Sequence, residues 1–139
     1  MRTLGAPELA RLKGRLDPGG IWVYHEHRCA SHHPRPVEVY RDRLILYGCG
    51  DLINDYEGIG GYEELRGDLA LLYLPALESA TGELLELRMV PMQIRRMSLH
   101  RVALADLQWI GNMLNEISSP FGSLVRIAPD RSLVLGRRP

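Results

Sequence analysis

Residues 24–58 read YHEHRCASHHPRPVEVYRDRLILYGCGDLINDYEG. Two short runs within it, Val37–Tyr40 and Arg43–Tyr47, are rich in the β-branched and aromatic residues that suit a pleated strand. Arg41-Asp42 joins them closely enough for a hairpin or tight strand pair. A glycine-rich polar loop, Gly48-Cys49-Gly50-Asp51, follows at once. Upstream lie His25, His27, His32 and His33, four of the chain's five histidines, and both cysteines, Cys29 and Cys49, fall in the same stretch. Nitrogen and sulfur donors beside a strand, with acids on a neighbouring loop, are the raw material of a transition-metal site.

The flanks extend this pattern. Pro7–Leu16 reads as a short helix with Leu9, Leu12 and Leu16 on one face, and Asp17-Pro18-Gly19-Gly20 stops it. Ile21–Tyr24 then forms a short strand that delivers His25 and His27 at its end. Helix, turn, strand and donor-rich loop make an α/β arrangement, in which sites lie beyond strand C-termini. Downstream, Asp51–Gly61 is loop. Asp68–Leu77 is a buried strand, Glu78–Glu83 a turn, and Leu84–Ile94 a returning strand with a bulge expected near Pro91. Arg95–Val102 continues as a further strand. Ala105–Ser118 is the clearest helix, with Leu107, Ile110, Leu114 and Ile117 in one stripe and Asp106 in the first turn. Ser123–Ile127 and Ser132–Leu135 close the chain as a hairpin around Ala128–Arg131.

Composition narrows the classes. At 139 residues the chain reads as one domain or part of one, with 45% hydrophobic and 24% charged residues. Seventeen basic residues balance 17 acidic ones, so the overall field needed to attract nucleic acid is missing. No run is long and apolar enough for a membrane span, and the first residues lack a leader's apolar core. A reducing, cytoplasmic setting is therefore the expectation.

The strings SHHPRPVEVYRDRLILYGCGDLINDYEGIGG, DLALLYLPAL and FGSLVRIAPDRSLVL resemble the CapA-like family of poly-γ-glutamate and capsule synthesis proteins. Residues 25–136 carry the likeness and 1–24 match poorly. The resemblance implies the calcineurin-like metallophosphoesterase fold, an αββα sandwich with a mixed sheet and two main helices. On that basis the whole chain, 1–139, is a single partial domain, the C-terminal portion of the family fold. It also implies a divalent metal (Mn, Zn or Fe) in the complete fold, which this chain alone need not hold. Two departures stand out. The family's Gly-His-x-x-His is here Arg28-Cys29-Ala30-Ser31-His32, and the Asp-rich motifs of the family's other half have no counterpart before His25.

By that likeness His32 is the second histidine ligand, with Cys29 or His27 beside it and His25 and His33 as further donors. Each has a plainer reading as a loop or surface residue, and Cys29 in place of the first histidine, with Arg28 alongside, fits a lost site better than a remade one. Asp51 and Asn54 are candidates for touching substrate or orienting a ligand histidine, though loop Asp and Asn also bond their own backbone. Cys49 between two glycines reads as a small packed filler, and Trp22 and Trp109 as core.

Three functions follow as expectations. The first is part of a capsule-polymer synthesis protein, inactive or incomplete alone. The second is a metal-dependent phosphoesterase-type hydrolase, and the third a small structural zinc-binding module. Self-association through the uncovered strands Leu69–Leu77 and Leu84–Ile94 is expected, with no nucleic acid or membrane partner and a polymer or phosphate-ester substrate left open.

Overall fold

The computed structural model describes residues 21–23, 33–52 and 66–137. Those residues form two sheets and a helix, a mixed α+β sandwich. The first sheet holds β1 (Trp22–Val23), β2 (Val37–Tyr40) and β3 (Arg43–Leu46) in the order β1-β3-β2. β3 runs parallel to β1 and antiparallel to β2, with Val37 opposite Leu46 and Tyr40 opposite Arg43. The expected hairpin is therefore present, and its two turn residues, Arg41 and Asp42, both take positive φ (49° and 63°). That geometry matches the right-handed twist of the flanking strands.

The second sheet holds β4 (Leu69–Leu77), β5 (Leu84–Arg95), β6 (Ser98–Arg101), β7 (Ser123–Ile127) and β8 (Leu133–Arg137). Its order is β4-β5-β8-β7, with β6 also on β5. Helix α1 (Leu104–Ser118) follows β6 and runs into a 3-10 turn, Ser119–Phe121. Leu107, Ile110, Gly111, Leu114 and Ser118 form its buried stripe. Gly111 lets the helix come close to the sheet: a Cβ there would sit 3.5 Å from Leu133 Cδ2. Pro120 and Gly122 (φ 70°) end the helical path.

One core joins the layers. Val37, Leu44 and Leu46 of the first sheet meet Leu69, Leu71, Leu87 and Met89 of the second, closed over by the α1 stripe. Each fully buried leucine contributes about 1.5–3 kcal/mol relative to exposure. Cross-ties reinforce the layers. Leu84 N–H donates to the Asp42 carbonyl (2.8 Å), and Val37 N–H to Ser118 Oγ (3.1 Å).

Three sequence expectations change. The bulge is not at Pro91, which pairs in register with Leu71; the shift falls between Ala76 and Leu77 and leaves Leu85 over, 65% exposed. Pro91 needs no bulge because on its other side β8 pairs only at 88–89 and β6 only at 92–95, so its missing N–H falls in the gap. β4 is not buried throughout. Beyond Leu71 it alternates, turning Leu72 and Leu74 outward (37% and 46% exposed). Residues 95–102 are not one strand either: β5 ends at Arg95, and a tight turn at Arg96-Met97 starts β6. α1 is the one α-helix among the described residues; the expected helix at 7–16 and most of the 51–61 loop lie outside them. No helix among the described residues is long and apolar enough to cross a membrane.

Candidate functional site

The parallel pairing of β1 with β3 decides where chemistry can gather. It sets Val23 beside Leu46, so β1 and β3 finish at the same end of the first sheet. β2 enters from the same end, since Val37 also faces Leu46. Two backbone bonds extend that entry, Arg35 N–H to the Gly48 carbonyl and Tyr47 N–H to the Pro36 carbonyl, each 3.1 Å. His33–Pro36 and Tyr47–Asp51 are thereby brought together, as a site beyond strand C-termini requires.

Of the residues expected here, His33, Cys49 and Asp51 are described. His25, His27, Cys29, His32 and Asn54 lie outside the described residues. His33 is half-buried with its Nδ1 shielded from solvent, and its Cε1 lies 3.7 Å from where a Cβ on Gly67 would project. Asp51 is half-buried. Cys49 packs against the core, and burial pushes its thiol up, away from the reactive thiolate form. The packed-filler reading fits that position. Gly48 sits at φ 150°, and a Cβ there would come within 2.8 Å of Arg35 Cγ, so glycine is required by close approach as well as by backbone.

Three further side chains shape this end, and the sequence reading did not single them out. Glu38 is almost wholly buried (5% exposed) and accepts a 2.6 Å hydrogen bond from the Tyr47 hydroxyl. Burial, and then that bond and the Glu38 charge, push the Tyr47 phenol up, so it stays a neutral donor. Its ring stacks on Phe121, centroids 4.9 Å apart, which ties the sheet to the end of α1. The Tyr73 hydroxyl is buried, and its phenol is raised by burial first and by the nearby Cys49 second. A signal for Glu38 was present. A two-residue turn at 41–42 puts Tyr47 diagonally across from Glu38 on one face, within reach of a long side chain.

A charged clasp flanks the site. Arg66 forms a two-pronged pair with Asp68 (2.9 and 3.0 Å) and reaches Asp106 at the start of α1 (2.8 Å). Gln93 donates to the same Asp68 carboxylate (2.9 Å), and Arg66 lies 5.9 Å from the Trp109 ring centre. The Arg66 hydrogen bond, aided by Gln93 and opposed by burial, holds Asp68 below the usual carboxylate range. Among the described residues no three of His, Cys, Asp and Glu converge as a metal-binding group. A high thiol and a single histidine are a poor donor set, so the described part of the site does not fit the implied metal.

What the geometry defines is a mixed α+β sandwich with a loop cluster at the C-terminal end of the one parallel strand pair among the described residues. The comparisons with known proteins coincide with it. The family model of the bacterial capsule synthesis protein PGA_cap matches residues 20–56, a span that takes in β1, β2 and β3. Two curated relatives, each called "Probable polyglutamine synthesis accessory protein" and from Mycobacterium tuberculosis strains CDC 1551 and H37Rv, are each 46% identical over 128 residues. The alignment takes in 92% of this chain and 33% of each relative, so the chain spans about a third of their length. The chain is thus related to the CapA-like capsule synthesis proteins, as the strings quoted above lead one to expect.

Proposed function

We propose that this chain serves as part of an accessory factor in the synthesis of a bacterial capsule-type polymer, without phosphoester hydrolysis of its own. The observation that carries this reading is the 46% identity, over 92% of the chain, to polyglutamine synthesis accessory proteins. The absence of hydrolysis rests on Arg28 and Cys29, which stand where the resemblance leads one to expect glycine and a ligand histidine. Arg28 brings a positive charge to a point where cations would have to gather. The test is deletion of the coding region from its host, followed by acid hydrolysis of the wall fraction and amino-acid analysis. A fall in wall-bound polymer that the intact gene restores is expected; unchanged polymer would overturn the reading.

A second reading, a metal-dependent phosphoesterase-type hydrolase, is favoured by the convergence of the His33–Pro36 and Tyr47–Asp51 segments at one sheet end. Nitrophenyl phosphate esters with added manganese test it. Turnover abolished by His32→Ala would establish this reading and overturn the first one's claim of no hydrolysis.

A further inference from the structure

Among the described residues β4, β6 and β7 each leave one side of the second sheet unpaired, and the fold treats the three edges differently. On β7, Asn115 of α1 takes up both backbone groups of Val125. Its Nδ2 donates to the Val125 carbonyl (3.0 Å) and its Oδ1 accepts the Val125 N–H (2.6 Å). β6 is four residues long, with His100 and Arg101 exposed. A cap, a short run and charge all protect an edge from pairing with another chain. β4 runs for nine residues, LALLYLPAL, with no charge in it and no such cap among the described residues.

The ladder fixes which groups that edge presents. Ile94 N–H donates to the Asp68 carbonyl, one step beyond the Leu69–Gln93 pair, so the bonded pairs with β5 fall at 68, 70, 72, 74 and 76. The backbone groups of 69, 71, 73 and 75 therefore point away from β5. Pro75 lies in that set, where its missing N–H costs the ladder nothing. Leu69 N–H is already used by the Arg66 carbonyl (2.9 Å). Two free donors remain, on Leu71 and Tyr73, beside a row of carbonyls. The alternate residues Leu72 and Leu74 stand 37% and 46% exposed on the outer face.

We infer that β4 is the contact of a two-fold dimer, in which a second copy of this chain lies antiparallel along it with Tyr73 opposite Tyr73. In that register the two Tyr73 N–H groups bond each other's carbonyls, and each Leu71 N–H meets a Pro75 carbonyl. Both free donors of each copy are thereby used. A register centred on Leu72 also pairs every free donor, but it sets Leu74 against Ala70, which is already fully buried. The Tyr73 register instead sets Leu72 against Leu74 on both sides of the axis. Because the N–H groups of these leucines belong to β5, they form the closer, non-bonded pairs of the new ladder. Side chains therefore decide the register.

Charge selects the occupant. Residues 69–77 hold no charged side chain, so two copies of this edge meet without like charges opposed, and a strongly acidic or basic partner finds nothing on it to pair with. The edge also complements itself, in donors and in leucines, which a two-fold contact requires. One strand edge is smaller than the roughly 800 Å² per partner of a standard interface, so the dimer forms at micromolar and not nanomolar concentration. The contact stands on these residues and does not use the accessory reading above.

The experiment is sedimentation equilibrium of the full chain from about 5 to about 100 micromolar. A concentration-dependent dimer that grows no further is expected, because a two-fold contact uses up the edge. Leu72→Lys/Leu74→Lys should weaken it by about tenfold or more and, with both side chains exposed, should melt as the parent does. Leu85→Lys, 65% exposed at the β5 bulge, should leave it unchanged, which separates strand pairing from general apolar adhesion. An equimolar mixture of L72C and L74C should form a disulfide-linked dimer faster than L72C alone, as the register requires. A parent that stays monomeric, open-ended oligomers, undiminished dimer in L72K/L74K, equal loss in L85K, or equal cross-linking by L72C alone would each overturn the assignment. Wall polymer content, which tests the accessory role, is read independently of this association.

Discussion

Replacing Ser118 by alanine is expected to loosen the candidate site from a position remote from it in sequence. Ser118 is fully buried at the end of α1, and its Oγ accepts the Val37 N–H at 3.1 Å across 81 residues. Alanine removes the acceptor and leaves a buried backbone donor unsatisfied, at a cost of about 1–3 kcal/mol. For a domain of this size about 2 kcal/mol lowers the melting temperature by roughly 6–10 °C. The loss concentrates where β2 enters the first sheet, next to the bonds that hold Arg35 to Gly48 and Tyr47 to Pro36. Calorimetry gives the global effect. Amide exchange gives the local one, with Val37 expected to exchange roughly tenfold faster or more. Ser119→Ala is the control. Its hydroxyl donates to the Glu116 carbonyl within the helix end, and its removal should cost about 0.5 kcal/mol or less. If Ser118→Ala melted with the parent and kept Val37 protected, the tie between helix and sheet would carry none of the weight given to it.

Gly48→Ala should destabilise the same end by about 1–3 kcal/mol, because the backbone sits at φ 150° and the new Cβ would meet Arg35 Cγ at 2.8 Å; an unchanged melting temperature would refute this. The clasp predicts a pH effect. Asp68 is held below its ordinary 3.8, so the unfolded state binds the proton more tightly; the clasp's stability is present above that value and is lost as pH falls toward the lower folded one. Asp68→Asn should flatten the melting-temperature profile below about pH 4, and a variant as acid-sensitive as the parent would refute the assignment. Leu72 and Leu74 on the outer face of β4 lead us to expect a dimer or larger species by light scattering at tens of micromolar, whereas a sharply melting monomer there would remove the case for self-association.

Local elements were legible where short-range physics decides them. The β2–β3 hairpin follows from two β-rich runs around Arg41-Asp42, and α1 from apolar residues three and four apart, each starting or ending within a residue of expectation. Pairing between distant segments was not legible. Nothing in Trp22-Val23 says that it lies parallel to Ile45-Leu46, yet that pairing gathers the site. Leu69–Leu77 reads as buried because eight of its nine residues are hydrophobic and the ninth is proline, and only the fold shows that its second half is two-faced. Pro91 looked like a defect because the gap between β8 and β6 belongs to the sheet and not to the strand. Glu38 was passed over for the opposite reason. A lone acid in a strand reads as solvent-facing, and its burial depends on Tyr47 arriving from the neighbouring strand.

Helix α1 explains why a loop cluster can keep its shape at the end of a small sheet whose β1 is only two residues long. Its first turn holds Arg66 through Asp106, and Arg66 fixes Asp68, whose carbonyl accepts the Ile94 N–H at 2.7 Å. Gly67, between those two, lies against His33. Its last residue holds Val37, four positions after His33, and the following Phe121 stacks on Tyr47. The segment from His33 to Val37 is therefore braced at both ends by the same helix, once through the clasp and once through Ser118. Because the clasp also grips Gln93 and Ile94 of β5, the base of the β5–β6 hairpin shares that brace. Arg66→Ala is therefore expected to loosen both the 66–68 segment and the base of that hairpin while leaving the core in place, read as faster amide exchange at Ile94 with Leu107 unchanged.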